Sequence, residues 1–271
     1  MNPAVISKTF RDSRLLFVIS LLGITLLELL FVVALSEFFE DMKKLWVQRT
    51  FIQRFVKMCL GTSFQADFTL TGRMCIGFAH PILMGLLWSF LLTTCTRVFA
   101  AETERGTADL LLTLPLSRTA VYCSTTAVWL GQGIALTLCV LLGTWLGASI
   151  FQPEQPLEVS RLAKLIPNLF ALYCFVGGVT MCVSIWTLNR GLTIAWVLGW
   201  LLASLLFNFL GQFWSVAVWL SYFGPMSYYQ PLASLNSTST VVFHSAILFG
   251  AGLAAWLIGW WRIVHRDIPT S

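Results

Sequence analysis

The chain is predicted to be an all-α polytopic membrane protein, a single transmembrane domain over residues 1–271 with six membrane helices. Three observations predict this. Hydrophobic residues make up 57% of the chain and charged residues only 11%, against about 25% charged in a soluble domain. The 17 Lys+Arg and 12 Asp+Glu are too few to cover a solvated surface of this size. The charges are also segregated: residues 74–96, 119–153, 165–189 and 191–261 contain no Asp, Glu, Lys or Arg. Together these exclude an ordinary soluble enzyme, a disordered chain and a nucleic-acid binder. The net charge of +5 is what positively flanked spans produce.

Residues 2–14 open with Asn2 and Pro3, a helix N-cap followed by proline at the first helical position. Val5, Ile6 and Phe10 alternate with Lys8, Arg11 and Arg14. This pattern suits a short amphipathic helix lying on the membrane surface, or a basic tail that fixes orientation. The first span follows at 15–35, interrupted only by Glu28. Residues 36–74 are too long for a structureless loop. Leu45, Ile52, Phe55, Val56 and Cys59 recur at helical spacing among Lys43, Lys44, Arg49, Arg54 and Lys57, which predicts an outer amphipathic segment.

The second span is expected at 76–97, with His80 before Pro81 as a helix-entry residue. Residues 99–118 then form a connector: acidic and basic at Glu102, Glu104 and Arg105, turning at Gly106, apolar at Leu110, Leu111, Leu112 and Leu114, and ended by Pro115. So apolar a stretch beside a charged turn fits a protein contact or a turn hugging the membrane. Further spans are expected at 121–148 and 165–187. The 71-residue charge-free run 191–261 holds two more, 192–211 and 241–261, since a span takes about 20 residues. Between them, residues 212–240 are uncharged, aromatic and broken by Gly224-Pro225 and Pro231, as in a re-entrant or interfacial helix pair.

Six spans bring both termini to one side. That side would carry Lys8, Arg11, Arg14, Arg97, Arg105, Arg118, Arg190, Arg262 and Arg266 on short segments, which predicts cytoplasmic termini. Trp145, Trp214 and Trp219 would then mark the outer boundary, and Trp186, Trp256, Trp260 and Trp261 the inner one.

Reactive chemistry is sparse. There is no GxxxxGK[ST], HExxH or GxSxG, and no CxxC among the seven cysteines. No catalytic residue, metal ligand or bound cofactor is therefore expected on this chain. Glu28 is the one carboxylate within a span, either a functional group or a structural partner across a helix interface. Gly143-x-x-x-Gly147 has the spacing of close helix packing.

The run Glu102-Thr-Glu-Arg-Gly-Thr107, Asp109-Leu-Leu-Leu112 and Pro115-Leu-Ser-Arg118 resembles the connector between the second and third spans of type-2 ABC exporter permease subunits. The segment Leu220–Pro231 is similar to the outer segment before that family's last span. The resemblance implies a non-enzymatic permease that forms the substrate pathway as a homo- or heterodimer, embedded in membrane lipid. It implies a separate ABC-type ATPase carrying ATP and Mg, docked on a coupling helix built from Glu102, Glu104, Arg105, Gly106, Thr107, Leu110, Leu111 and Leu114. It also implies that residues 2–14 form a surface-lying connecting helix and that the chain belongs to a bacterial cytoplasmic membrane. The 36–74 segment is longer than the outer loop of many members. Two other readings start from the same residues: a membrane anchor or regulator of an ATPase that transports nothing, and an intramembrane enzyme using Glu28 or His80.

Overall fold

The computed structural model describes residues 2–37, 69–101, 117–211 and 214–265. Every regular element among them is helical. In chain order they are α1 (Pro3–Glu37), α2 (Leu70–Phe78), α3 (Pro81–Thr96), a π-helical turn (Arg97–Ala101), α4 (Arg118–Phe151), α5 (Val159–Ala163) and α6 (Ile166–Thr187). Then come α7 (Arg190–Leu210), α8 (Ser215–Ser221), a 3-10 turn (Pro225–Tyr228), α9 (Pro231–Asn236) and α10 (Thr238–His265). Among the described residues five helices are long and apolar enough to cross a membrane, six with α2 and α3 taken as one bent span.

Helix α1 starts where the sequence places it: Asn2 Oδ1 accepts the Ala4 N–H at 2.9 Å, and Pro3 follows the cap. It then runs unbroken for 35 residues, about 52 Å at 1.5 Å per residue. The separate surface helix expected over 2–14 is therefore not present, because no break falls between Arg14 and Leu15. No proline or glycine lies there, and tertiary bonds hold the first turns in line with the span. Asn2 N–H donates to Ser124 Oγ at 2.8 Å, Gln132 Nε2 donates to Ser13 Oγ at 2.9 Å, and Arg97 donates to the Asp12 carbonyl.

The face of α1 that turns inward carries the polar residues Thr9, Ser13, Ser20 and Glu28 alongside Val5, Ile24, Val32 and Leu35, while Leu15, Ile19, Leu22, Leu26 and Leu30 are exposed. This is the inside-out pattern of a helix bathed in lipid, where small residues let backbones approach and apolar side chains face outward. Its partner is α4. A Cβ added to Gly143 would stand 2.5 Å from the Thr25 carbonyl oxygen, and one on Gly147 would stand 2.9 Å from Val32. The Gly143-x-x-x-Gly147 spacing thus serves close packing, as its period suggests.

A second tight pair is α6 with α10. A Cβ on Gly178 would stand 2.1 Å from the Gly252 carbonyl oxygen, and one on Gly252 would stand 2.6 Å from the Phe175 Cα. Helix α6 is the most buried of the long helices. Tyr173 on it donates to the Trp129 carbonyl of α4 at 3.1 Å and so joins the two pairs.

The second span departs from expectation at its start. Its first part, α2, begins at Leu70 inside the stretch read as outer amphipathic segment, capped by Thr69, whose Oγ1 accepts the Gly72 N–H at 3.2 Å. A 41° bend then separates α2 from α3. His80 caps α3 through Nδ1, which accepts the Ile82 N–H at 3.3 Å, and Pro81 takes the first helical position. His80 is the helix-entry residue its sequence context predicts.

Contacts between distant residues sort the helix ends. At one end, here the near end, Asn2 meets Ser124, Arg118 donates to the Ile263 carbonyl at 3.4 Å, and Arg262 stands 4.8 Å over the Trp186 ring. The near end therefore gathers both ends of the described chain, the two flanks of the 102–116 connector and the Leu188–Asn189 turn. At the far end Arg73 donates to the Leu35 carbonyl at 2.9 Å and to Gln155, and Asn168 Nδ2 donates to the Tyr228 carbonyl at 3.2 Å. Asn2 and Ile263, near the two ends of the described residues, thus lie at one end of the bundle. Within the 212–240 segment, residues 215–236 form short helices at the far end, broken at Gly224-Pro225 and Pro231, and α10 begins at Thr238.

Candidate functional site

The polar residue singled out inside a span, Glu28, is fully buried. Three helices converge on it. Thr144 Oγ1 of α4 donates to Glu28 Oε2 at 3.4 Å while also bonding the Val140 carbonyl at 2.9 Å, so the contact to the acid is the longer of the two. Gly143 lets α4 approach: a Cβ there would stand 2.9 Å from the Glu28 Cβ. On α2, a Cβ on Gly77 would stand 3.2 Å from Oε2. Glu28 Oε1 has no hydrogen-bond partner, and among the described residues no cation pairs with the acid. A buried oxygen left unsatisfied costs about 1–3 kcal/mol, so the position holds unspent polar capacity.

The bend between α2 and α3 lies beside this acid. Phe31 of α1 packs on His80 with ring centroids 4.9 Å apart. Tyr229, arriving from the far-end segment, is buried and donates its hydroxyl to the Phe78 carbonyl at 2.9 Å. That carbonyl stands at the break in the helix, where its in-helix donor, the Ile82 N–H, is turned to His80 Nδ1. Burial holds the Tyr229 phenol well above its ordinary range, with Cys75 and Glu28 adding to the effect. Tyr229 is thus a hydrogen-bond donor that keeps its proton.

On the other side of the bend a cleft of about 710 Å3 separates α3 from α7. Pro81, Met84, Gly85 and Trp88 form one wall, Leu198, Leu202, Leu205 and Leu206 the other, and Met226 and Tyr229 close it toward the far end. Asn208 and Tyr229 are its polar side chains. Such a surface holds apolar groups and has little with which to orient a polar one.

The structure brings Glu28 together with Thr144 and Gly77, and among the described residues no second carboxylate and no histidine hydrogen-bonds to it. His80 is engaged in capping, His244 packs on Tyr228 at 5.7 Å, and His265 lies within hydrogen-bond reach of the Trp261 carbonyl at 2.8 Å. Among the described residues no group of three His, Cys, Asp or Glu could hold a metal. The coupling residues Glu102, Glu104, Arg105, Gly106, Thr107, Leu110, Leu111 and Leu114 lie outside the described residues, as do residues 38–68 of the 36–74 segment. The cleft and the Tyr229 anchor escaped sequence reasoning. The one signal that could have found Tyr229 is Tyr228-Tyr229 placed between two proline breaks. Compared with family models, curated proteins and solved structures, the chain matches none.

Proposed function

We propose that this chain is the membrane-spanning permease subunit of an ATP-driven exporter of the type-2 ABC kind, working as a dimer of such subunits with a separate ATPase. The observation that carries the reading is the connector. Its acidic, Gly-Thr and Leu-rich run ends in Pro115-Leu-Ser-Arg118, and its two flanks, Arg97 and Ser117, leave and re-enter the bundle at the near end with both termini. An ATPase held at that end meets one internal connector long enough to dock on, since Leu188–Asn189 is only a tight turn. In this reading the near end is cytoplasmic, the membrane is a bacterial cytoplasmic membrane, and ATP and Mg belong to the partner.

The apolar cleft between α3 and α7 supplies a wall along which a hydrophobic substrate passes. The absence of a phosphate-binding loop in the sequence assigns hydrolysis to the partner. The test is purification of the tagged chain from its native membrane. An ABC-type ATPase should co-purify, and the stripped chain alone should hydrolyse no ATP above background. Hydrolysis by the chain alone that survives removal of contaminants contradicts the proposal.

A further inference from the structure

We propose that the near end of the α6–α7 hairpin binds an anionic phospholipid, its phosphate on Arg262 and an acyl chain in the groove between the two helices. The last turns of α6 and the first turns of α7 diverge from the Leu188–Asn189 turn and leave a groove of about 410 Å3. Val183, Trp186, Trp196 and Trp200 line it, and Trp186 and Trp196 are exposed. In a chain whose long helices are apolar enough for a bilayer, an open apolar groove at a helix end is filled by lipid chains.

The headgroup is specified by charge. The Arg262 guanidinium lies 4.8 Å over the ring of Trp186, which itself walls the groove. Among the described residues Arg262 makes no ion pair or hydrogen bond, and its Nε is buried without a partner. Arg190 opens α7 at the same turn. No Asp or Glu occurs anywhere from 159 to 265. Among the described near-end residues the one acid is Asp12, on α1, while α6, α7 and α10 carry none. A guanidinium over an indole face leaves its terminal N–H groups for a phosphate, which such a group can hold through two parallel bonds. A zwitterionic headgroup carries its own cation and gains less from this surface.

The test uses the purified full chain in detergent, offered equal phosphatidylglycerol and phosphatidylcholine and read by native mass spectrometry. The parent should retain phosphatidylglycerol preferentially, and less so as salt rises. Arg262→Gln should lower that retention about fivefold without changing phosphatidylcholine retention, while Arg262→Lys keeps most of it. Val183→Trp, which fills the groove, should lower retention of both lipids. Should Val183→Trp fail to fold, the Gln and Lys variants at unchanged melting temperature decide the matter. Equal retention of the two lipids, or parental behaviour of Arg262→Gln, overturns the proposal. Displacement of phosphatidylglycerol by inorganic phosphate alone overturns it in favour of a soluble anion. Disulfide pairing of a Cys introduced at Trp196 overturns it in favour of a second copy of this chain.

Discussion

Gly143 of α4 lies so close to Glu28 of α1 that a Cβ added to the glycine would stand 2.9 Å from the Glu28 Cβ and 2.5 Å from the Thr25 carbonyl oxygen. The buried acid and the tightest backbone approach of the α1–α4 pair are one feature. The helices come together because position 143 has no side chain, and Glu28 is enclosed as a result.

Gly143→Ala should therefore push α1 from α4 and lower stability by about 1–3 kcal/mol, the usual cost of overpacking. Gly131→Ala, on the same helix with nothing within 4 Å of its added Cβ, should be neutral or slightly stabilising. Thermal unfolding of the two variants in detergent checks the contrast. Equal melting temperatures would mean that the α1–α4 contact is looser than this geometry.

Glu28→Gln keeps the shape of the side chain and replaces an ionisable group with one that cannot ionise. Its one bond, from Thr144 at 3.4 Å, is long enough that little is lost. Folded yield should hold and the melting temperature should stay or rise. Loss of yield would show that the carboxyl itself is needed to join α1 to α4. A fall in turnover with the fold intact would assign the carboxyl to transport.

The legible part of the fold was the part written in apolar length. Spans expected at 121–148 and 241–261 lie within α4 and α10, and those expected at 165–187 and 192–211 overrun α6 and α7 by one residue each. The reading failed where charge was used as a ruler. Arg73 falls outside the second span that charge-free length predicts, yet it is buried, because the Leu35 carbonyl at the end of α1 and the Gln155 side chain satisfy its guanidinium. Both partners are remote in sequence, so no local pattern could report them. The same limit hid the continuity of α1, where the alternation of Lys8, Arg11 and Arg14 with apolar residues resembles a surface helix. Ser13 and Gln132, 119 positions apart, tie that segment into line. Glu28 was legible as an isolated acid, but its enclosure by Gly143 and Gly77 and the Tyr229 anchor depend on tertiary contacts.

Topology gives an independent check on orientation. In a cysteine-free background, a single cysteine at Glu40 should react with an impermeant thiol reagent on intact cells, and one at Glu104 should react only after permeabilisation. Removing the native cysteines is feasible, since among the described residues none is in a disulfide. Labelling at 104 but not at 40 would invert the assignment of the near end to the cytoplasm.

The central claim is that ATP hydrolysis on a partner reaches these helices through residues 99–118. In this account Leu110, Leu111 and Leu114 fill a groove on the ATPase, and Glu102, Glu104 and Arg105 orient it at the rim. In the same account Gly106 lets the chain turn where a side chain would obstruct it. Apolar anchors at the centre of an interface outweigh rim charges. The decisive measurement is ATPase co-purification together with transport-linked hydrolysis in proteoliposomes, for the parent, Leu111→Ala with Leu114→Ala, and Glu104→Ala. The double variant should lose the ATPase, and Glu104→Ala should keep it but lose coupling. If both variants bind the ATPase and transport like the parent, residues 99–118 are an ordinary loop and the account is contradicted.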